Sequence, residues 1–271
     1  MPTSASGLEL HVDDGVAQIV LARPPVNAFD EPFLTAIAAA VTALPADVRA
    51  LVVRSSVDRI FAAGGDIPWM AQAPLHDQLR FVQRCQDTYS LFETVAYPTI
   101  AAIEGMCLGG GLELSLACDI RIVGPDAVLG LPEATIGLIA GAGGITRLVR
   151  AVGRGVAHDL LLTGRRISAD EAVAMGIASR RAEAGGAASA ALALARRLAD
   201  GPTEAIEATK RLAVVAGEGT IADGLARERE AWAVVRRSAR TQEGLEAFGE
   251  KRPADFRAAA ARQPASAHDG A

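Results

Sequence analysis

The first half of the chain alternates short apolar segments with longer segments whose apolar residues recur at helical spacing, and this order restricts the fold more than any other feature. The strand-like segments are Val16–Leu21, Ala50–Val53, Thr99–Ile103 and Ile120–Val123. The helical segments are Asp30–Leu44, with Asp30 as the N-cap, and Leu75–Val95. Strands separated by helices are typical of a mostly parallel sheet with crossover helices, so we expect an α/β fold.

Helical patterns dominate the chain after Gly153, where strand signals become rare. The expected helices are Val156–Leu162, Ala169–Ala174, Ala187–Ala199, Pro202–Val215, Ile221–Arg237 and Thr241–Glu250. The last residues, 258–271, are small and polar with no apolar face. We therefore expect an α/β body, a helical C-terminal part and a frayed tail.

Composition and charge exclude several classes of protein. Of the 271 residues, 50% are apolar, which is enough for a sizeable core, and the net charge of −5 gives no basic surface for nucleic acid. Three cysteines without a CxxC pair indicate a reduced, cytoplasmic setting in which they are small buried residues. No apolar run is long enough to span a membrane, and Met1–Leu8 lacks the pattern of a signal peptide.

Two glycine clusters follow strand-like segments. Phe61–Ile67 (FAAGGDI) contains small residues that let the backbone approach a ligand, although an ordinary tight turn explains it equally well. Gly105–Leu114 (GMCLGGGLEL) places three glycines between the strand Thr99–Ile103 and the helical run Leu112–Cys118. Unpaired N–H groups at such a helix start suit an anion or a developing oxyanion.

Two glutamates interrupt apolar surroundings. Glu113 lies in an almost wholly apolar helix, so its carboxylate is expected to be buried, which is costly unless it is paired or used. Glu133 stands between apolar segments and precedes the glycine-rich stretch Gly141–Gly144. The alternatives are that Glu113 only favours the helix dipole and that Glu133 is a capping or surface acid.

Other familiar site motifs are absent from the sequence. It has no GxxxxGK[ST] phosphate loop and no GxSxG nucleophile elbow, and Gly141-Ala142-Gly143 is a weak match to a dinucleotide-binding turn. The four histidines are scattered without the spacing of metal ligands. We therefore expect no metal site.

The combined pattern resembles the crotonase, or enoyl-CoA hydratase/isomerase, superfamily, and within it an enoyl-CoA hydratase. The segments that carry the resemblance, in the family's order, are Arg23-Pro24 with Asn27-Ala28, Phe61–Ile67, Gly109–Leu114 with Ala117–Ile120, Pro132-Glu133, Gly141–Gly144 and Glu243–Pro253. The resemblance implies a spiral of ββα turns followed by a helical region that builds trimers or hexamers. On that basis residues 1–200 form the core with the CoA and acyl site, 201–257 the oligomerisation region, and 258–271 a disordered tail.

The resemblance also implies the site. The backbone N–H groups of Gly65 and Gly110 hold the carbonyl of an acyl-CoA thioester, while Glu113 and Glu133 hold a water, Glu113 as base and Glu133 as the donor of a proton to Cα. Further implied substrate contacts are Val26, Ala28, Ala63, Asp66, Ile67, Pro132 and Gly141. Coenzyme A enters as part of the substrate, and the family site uses no metal or redox cofactor.

The two glutamates favour hydration of a 2-trans-enoyl-CoA to the 3-hydroxyacyl-CoA. The sequence departs from the common pattern at Gly65, where alanine is frequent, and at Pro68, where a lysine is frequent, so a contact of that lysine with CoA is in doubt. Alternatives within the superfamily are a double-bond isomerase and a hydratase of a specialised acyl-CoA. A non-catalytic acyl-CoA-binding scaffold is the alternative from another class.

Overall fold

Two sheets form the body of the structure, which is a computed structural model that describes residues 7–184, 186–217 and 219–261. The larger sheet has the strand order β1-β2-β3-β5-β7-β10, and the smaller has β4-β6-β8-β9. Their strands are β1 (Leu8–Asp13), β2 (Val16–Leu21), β3 (Ala50–Ser55), β4 (Ile60–Ala62), β5 (Thr99–Ile103), β6 (Met106–Leu108), β7 (Ile120–Val123), β8 (Val128–Gly130), β9 (Ile167–Ser168) and β10 (Arg180–Arg181).

Neighbouring strands run parallel except for the pairs β1–β2 and β8–β9. The mostly parallel sheet predicted from the sequence is therefore confirmed. In three units, β3–β4, β5–β6 and β7–β8, a strand of the larger sheet is followed by one of the smaller sheet and then by helix, and the first unit is the hairpin β1–β2 followed by α1; this is the expected spiral of ββα turns. The turn between β5 and β6 requires Gly105, because its φ is +64° and a Cβ would lie 1.8 Å from the Arg59 carbonyl oxygen.

Helices connect and follow the strands. They are α1 (Glu31–Thr42), α2 (Ile67–Met70), α3 (Leu75–Thr94), α4 (Gly110–Ala117), α5 (Gly144–Thr163), α6 (Ala169–Ala174), α7 (Ala187–Ala199), α8 (Thr203–Ala216), α9 (Ile221–Val235), α10 (Ala239–Glu250) and α11 (Phe256–Ala261), with a 3-10 helix at Pro132–Ile136. Asp30 caps α1 as predicted, since its Oδ1 accepts from the Phe33 N–H at 2.9 Å.

Helix α5 begins twelve residues earlier than the predicted start at Val156. Gly153 has non-helical φ and ψ of 76° and 163° and kinks the helix, and the helix begins with glycine at both the N-cap, Gly143, and the first position, Gly144. These glycines broke the periodic pattern, so the sequence revealed only the second half of the helix.

The larger sheet is covered on both faces. Helix α7 packs on one face, where Ala191 and Leu194 meet the apolar side chains of β2, β3, β5 and β7. The other face packs in the main core with α1, α3 and α4. Cys85, Cys107 and Cys118 are buried and unbridged, as predicted. This packing on both faces fixes the carboxyl ends of the strands from which the site is built.

The C-terminal helices α8–α10 carry exposed apolar side chains, with Trp232 69% and Phe248 86% exposed. Helix α7 ends at Ala199 and α8 begins at Thr203, and the division near residue 200 into a core and an oligomerisation region stays a prediction. The predicted tail was placed too early, because residues 256–261 form α11, where the Asp255 side chain caps the Ala258 N–H and Ala259 is buried. Residues 262–271 lie outside the described residues. No helix in the described part of the chain is long and apolar enough to cross a membrane.

Candidate functional site

A cavity of about 790 Å³ lies between α3, the start of α4, the 3-10 helix and the loop before α5. Its walls are mostly apolar, and it brings together residues that are distant in sequence. The predicted site residues on its wall are Ala63, Gly65, Ile67, Gly110, Glu113, Pro132, Glu133 and Gly141. The glycine clusters and both glutamates therefore share one cavity.

The two glycine clusters meet at the start of α4. A Cβ on Gly64, whose φ is +94°, would lie 3.7 Å from the Gly110 nitrogen. Gly110 is the first residue of α4, so its N–H has no partner within the helix. Among the described residues, neither the Gly65 N–H nor the Gly110 N–H donates to a backbone acceptor. Two backbone donors are thus available on the same wall of the cavity.

Glu113 is in the first turn of α4 and its residue surface is only 4% exposed. Its Oε1 accepts hydrogen bonds from the Ala142 N–H at 2.8 Å and the Gly144 N–H at 2.9 Å. Burial raises the pKa of Glu113 to about 7, with a further contribution from the nearby Glu133, while the two N–H donors oppose the shift. The predicted buried carboxylate is confirmed.

Glu133 is in the 3-10 helix and is partly buried. Its Oε2 is buried without a hydrogen-bond partner in the described structure, and its Oε1 lies 2.9 Å from where a Cβ on Gly109 would be. Gly109, with φ of +52°, therefore lets the carboxyl approach the backbone at the start of α4. Burial raises the pKa of Glu133. The alternative of a surface acid is wrong.

Helix α3 lines the cavity beside the glycine turns, through Phe81, Val82, Cys85, Gln86 and Tyr89. Met70 also lines the cavity, whereas Trp69 does not and instead packs edge-on against Phe81, with ring centroids 5.3 Å apart.

Tyr89 is a wall residue that the sequence analysis did not single out. Its side chain is fully buried, its hydroxyl lies beside the Cys85 thiol, which is a weak hydrogen-bonding group, and burial raises its pKa well above the ordinary value. It packs against Phe29 at 5.7 Å between ring centroids. The helical spacing placed Tyr89 on the apolar face of α3, but no sequence signal indicates which group a buried hydroxyl meets.

Three predicted contacts, Val26, Ala28 and Asp66, are not on the cavity wall. The Val26 carbonyl accepts from the Ala63 N–H at 3.0 Å, so the segment Val26–Ala28 runs beside the wall residues. Asp66 is exposed and caps α2 by accepting from the Trp69 N–H at 3.0 Å. A side chain used as a helix cap is directed at its own backbone, so the contact of Asp66 with substrate stays a prediction, as do those of Val26 and Ala28.

The arrangement suits acid–base chemistry beside a carbonyl group. Two interacting carboxyls have raised pKa values, that of Glu113 at about 7, and can exchange protons with a ligand, while two backbone donors stabilise negative charge on an oxygen. In the described part of the chain, no group of three His, Cys, Asp or Glu side chains is placed to hold a metal ion.

Comparison with known proteins finds relatives over most of the chain. The family model described as enoyl-CoA hydratase/isomerase matches residues 11–259. The chain is 37% identical to the probable mitochondrial enoyl-CoA hydratase 2 of Arabidopsis thaliana over 89% of this chain and 81% of that protein. It is 38% identical to the mitochondrial methylglutaconyl-CoA hydratase of Mus musculus, over 85% of this chain and 76% of that protein.

Solved structures give the same result for the fold. The crystal structure of an enoyl-CoA hydratase from Geobacillus kaustophilus HTA426 superposes with a TM-score of 0.89 at 32% identity, over 93% of this chain and 97% of that one. The crystal structure of an enoyl-CoA hydratase from Bacillus anthracis superposes with a TM-score of 0.87 at 32% identity, over 92% of this chain and 98% of that one. With a family match over nearly the whole chain and a fold shared with these structures, the protein belongs to the enoyl-CoA hydratase/isomerase family of the crotonase superfamily.

Proposed function

We propose that this protein is an enoyl-CoA hydratase, a carbon–oxygen lyase that adds water in syn fashion to a 2-trans-enoyl-CoA and yields the 3-hydroxyacyl-CoA. The observation that carries the proposal is the pair Glu113 and Glu133, which line one cavity and both have raised pKa values. Addition of water to an activated double bond needs one group that takes a proton from water and one that gives a proton to Cα.

In this proposal the N–H groups of Gly65 and Gly110 form an oxyanion hole. Both residues line the cavity, and neither N–H is used by a backbone acceptor of the described chain. Donors aimed at the thioester oxygen stabilise the enolate that forms when hydroxide adds to Cβ. One such donor typically lowers the barrier by about 3–4 kcal/mol.

The two carboxyls take different roles because their surroundings differ. The two N–H bonds to Glu113 Oε1 favour its ionised form, which suits a base toward water. The Oε2 of Glu133 has no hydrogen-bond partner in the described structure, so this oxygen is free to pass a proton to Cα. Because the carboxyls interact, each titration step belongs to the pair and not to one residue. In the active form, the pair carries one proton.

We also propose that the protein works as a homotrimer or a dimer of trimers in the cytoplasm. The exposed Trp232 and Phe248 on the C-terminal helices support burial against other copies of the chain. Coenzyme A is part of the substrate in this proposal, and the protein needs no resident cofactor or metal, no nucleic acid and no membrane. Sedimentation at several protein concentrations distinguishes monomer, trimer and hexamer.

The test is the loss of enoyl thioester absorbance with crotonyl-CoA and with a longer 2-trans-enoyl-CoA, together with mass analysis of the product. We expect a 3-hydroxyacyl-CoA from the wild type and a loss of at least about 100-fold in kcat for both E113Q and E133Q. The matched control is E243Q, since Glu243 is also 4% exposed but lies outside the cavity. Full activity in either cavity variant would contradict the two-carboxyl mechanism, and tight binding without turnover would favour a non-catalytic scaffold.

A second candidate is hydration of an acyl-CoA that carries an additional carboxylate. Arg166 is the cationic side chain on the described cavity wall, which otherwise carries only the two glutamates as charged groups. The 38% identity with mouse methylglutaconyl-CoA hydratase agrees with this possibility. In this case kcat/KM for 3-methylglutaconyl-CoA exceeds that for crotonyl-CoA, and R166M removes the preference; equal loss for both substrates would contradict it.

A further inference from the structure

The loop Gly141–Gly144, between the 3-10 helix and α5, holds the carboxylate of Glu113. The N–H groups of Ala142 and Gly144 donate to Glu113 Oε1 at 2.8 and 2.9 Å. The loop is short, so the positions of these two donors depend on what fixes its carbonyl groups. Two carbonyls of the loop, those of Gly141 and Ala142, are bound by side chains from outside the loop.

Arg147, in the first turn of α5, binds a backbone carbonyl of this loop. Its Nη1 donates to the Ala142 carbonyl at 3.1 Å. A Cβ on Gly143, which has φ of +106°, would lie 2.1 Å from that same Nη1, so the guanidinium packs directly against the loop backbone. The Arg147 side chain is only 13% exposed.

Helix α3 fixes Arg147 in turn. The Arg147 Nε and Nη2 atoms donate to the two carboxylate oxygens of Glu93 at 2.9 and 2.6 Å, and Nη2 also donates to Ser90 Oγ at 3.1 Å. One turn earlier, Gln86 Nε2 donates to the Gly141 carbonyl at 2.7 Å. Gln86, Ser90 and Glu93 are spaced by four and three residues, so they share one face of α3.

We propose that Arg147, anchored by Glu93 on α3, is a positioning residue that holds the Ala142 and Gly144 N–H groups on Glu113 and so sets the pH range in which Glu113 serves as a base. This inference rests on the proposed function. It assigns to α3 a second role besides that of an apolar wall, because the same helix orients the loop that binds the carboxylate.

The charges around Glu113 determine in which direction the loss of Arg147 shifts the pKa of Glu113. The titratable groups that interact with it are Glu133, Arg147 and, from α3, Cys85 and Tyr89. Burial raises the pKa of Cys85 to about 12 and that of Tyr89 well above its ordinary value, so both are neutral near pH 7. The Arg147 charge and the loop N–H groups favour ionised Glu113, so loss of Arg147 raises the pKa of Glu113.

The test compares R147M and R147K with R240M as the matched control. Arg240 pairs with Glu204 at 2.6 Å with side-chain exposures of 14% and 34%, against 13% and 34% for Arg147 and Glu93. Unlike Arg147, Arg240 is on α10 and not beside the loop that binds Glu113. We expect the acidic limb of the kcat/KM profile to move to higher pH by about one unit in R147M, by less in R147K, and not in R240M.

A second readout does not depend on turnover. Infrared titration of the Glu113 carboxyl, assigned by its absence in E113Q, should show the same alkaline shift in R147M, and E93Q should give a smaller shift because it frees Arg147 without removing it. An unchanged midpoint of the Glu113 titration in R147M, with a loss of stability equal to that of R240M, would show that Arg147 serves only in a structural ion pair. Absence of hydratase activity in the wild type would overturn the proposed function but leave the infrared test of Arg147 intact.

Discussion

Replacing Glu113 by glutamine is expected to stabilise the folded chain at alkaline pH while it abolishes activity. The ordinary pKa of 4.5 applies to the unfolded chain, and burial raises the pKa to about 7 in the folded chain. Between these values the unfolded state gives up the proton while the folded state keeps it, so the free energy of unfolding falls as pH rises. The free energy of unfolding is lowered in this way by about 3 kcal/mol above pH 7 and is not lowered below pH 4.5.

The variant E113Q removes this titration but keeps an oxygen that can accept from Ala142 and Gly144. Urea unfolding of wild type and E113Q at matched protein concentration, from pH 4.5 to 8.5, measures the effect. The advantage of E113Q should grow across this range toward about 3 kcal/mol. A difference that does not change with pH would refute the reasoning, because it would show that the Glu113 carboxyl does not titrate differently in the folded chain.

The partner variant E133Q tests the coupling between the two carboxyls. Glu133 raises the pKa of Glu113 by charge repulsion. Its removal should therefore move the pH dependence of Glu113 ionisation toward acid, and infrared titration of that carboxyl measures the midpoint. An unchanged midpoint would contradict the interaction.

Three substitutions test the packing around the cavity by thermal and urea unfolding. G65A should cost less than about 1 kcal/mol, because its Cβ meets only the flexible end of Met70 at 2.7 Å, and it should keep activity since the N–H remains. G111A should cost about 3 kcal/mol or more, because its Cβ would lie 2.3 Å from the Ala62 carbonyl oxygen. Y89F should change stability by less than about 1 kcal/mol, because the neighbour of the hydroxyl is the weakly hydrogen-bonding Cys85 thiol; a larger loss of stability would contradict this.

Four of the six strands of the larger sheet could be predicted from the sequence because they show an apolar run, whereas β1, with one buried residue, and the two-residue β10 were missed. Val16–Leu21, Thr99–Ile103 and Ile120–Val123 were predicted with the bounds they have in the structure. The smaller sheet was missed, since strands of two or three residues, such as Ile60–Ala62 and Ile167–Ser168, are too short for a periodic signal.

The site was predicted at the level of residue type but not of contacts. Burial of Glu113 followed from its apolar neighbours on α4. The donors that hold it, Ala142 and Gly144, lie 29 and 31 residues away and act through backbone N–H groups, which leave no signal in residue type. The contact between Glu93 and Arg147, which are 54 residues apart, was also not predicted, because it depends on how α3 and α5 pack.

The most direct test of the central claim is isotope incorporation from water enriched in oxygen-18 with crotonyl-CoA as substrate. The account predicts a 3-hydroxybutyryl-CoA that carries one heavy oxygen, formed by the wild type and lost in both E113Q and E133Q. Conversion of the thioester without heavy oxygen in the product, or a product in which only the double bond has moved, would contradict hydration by the two glutamates.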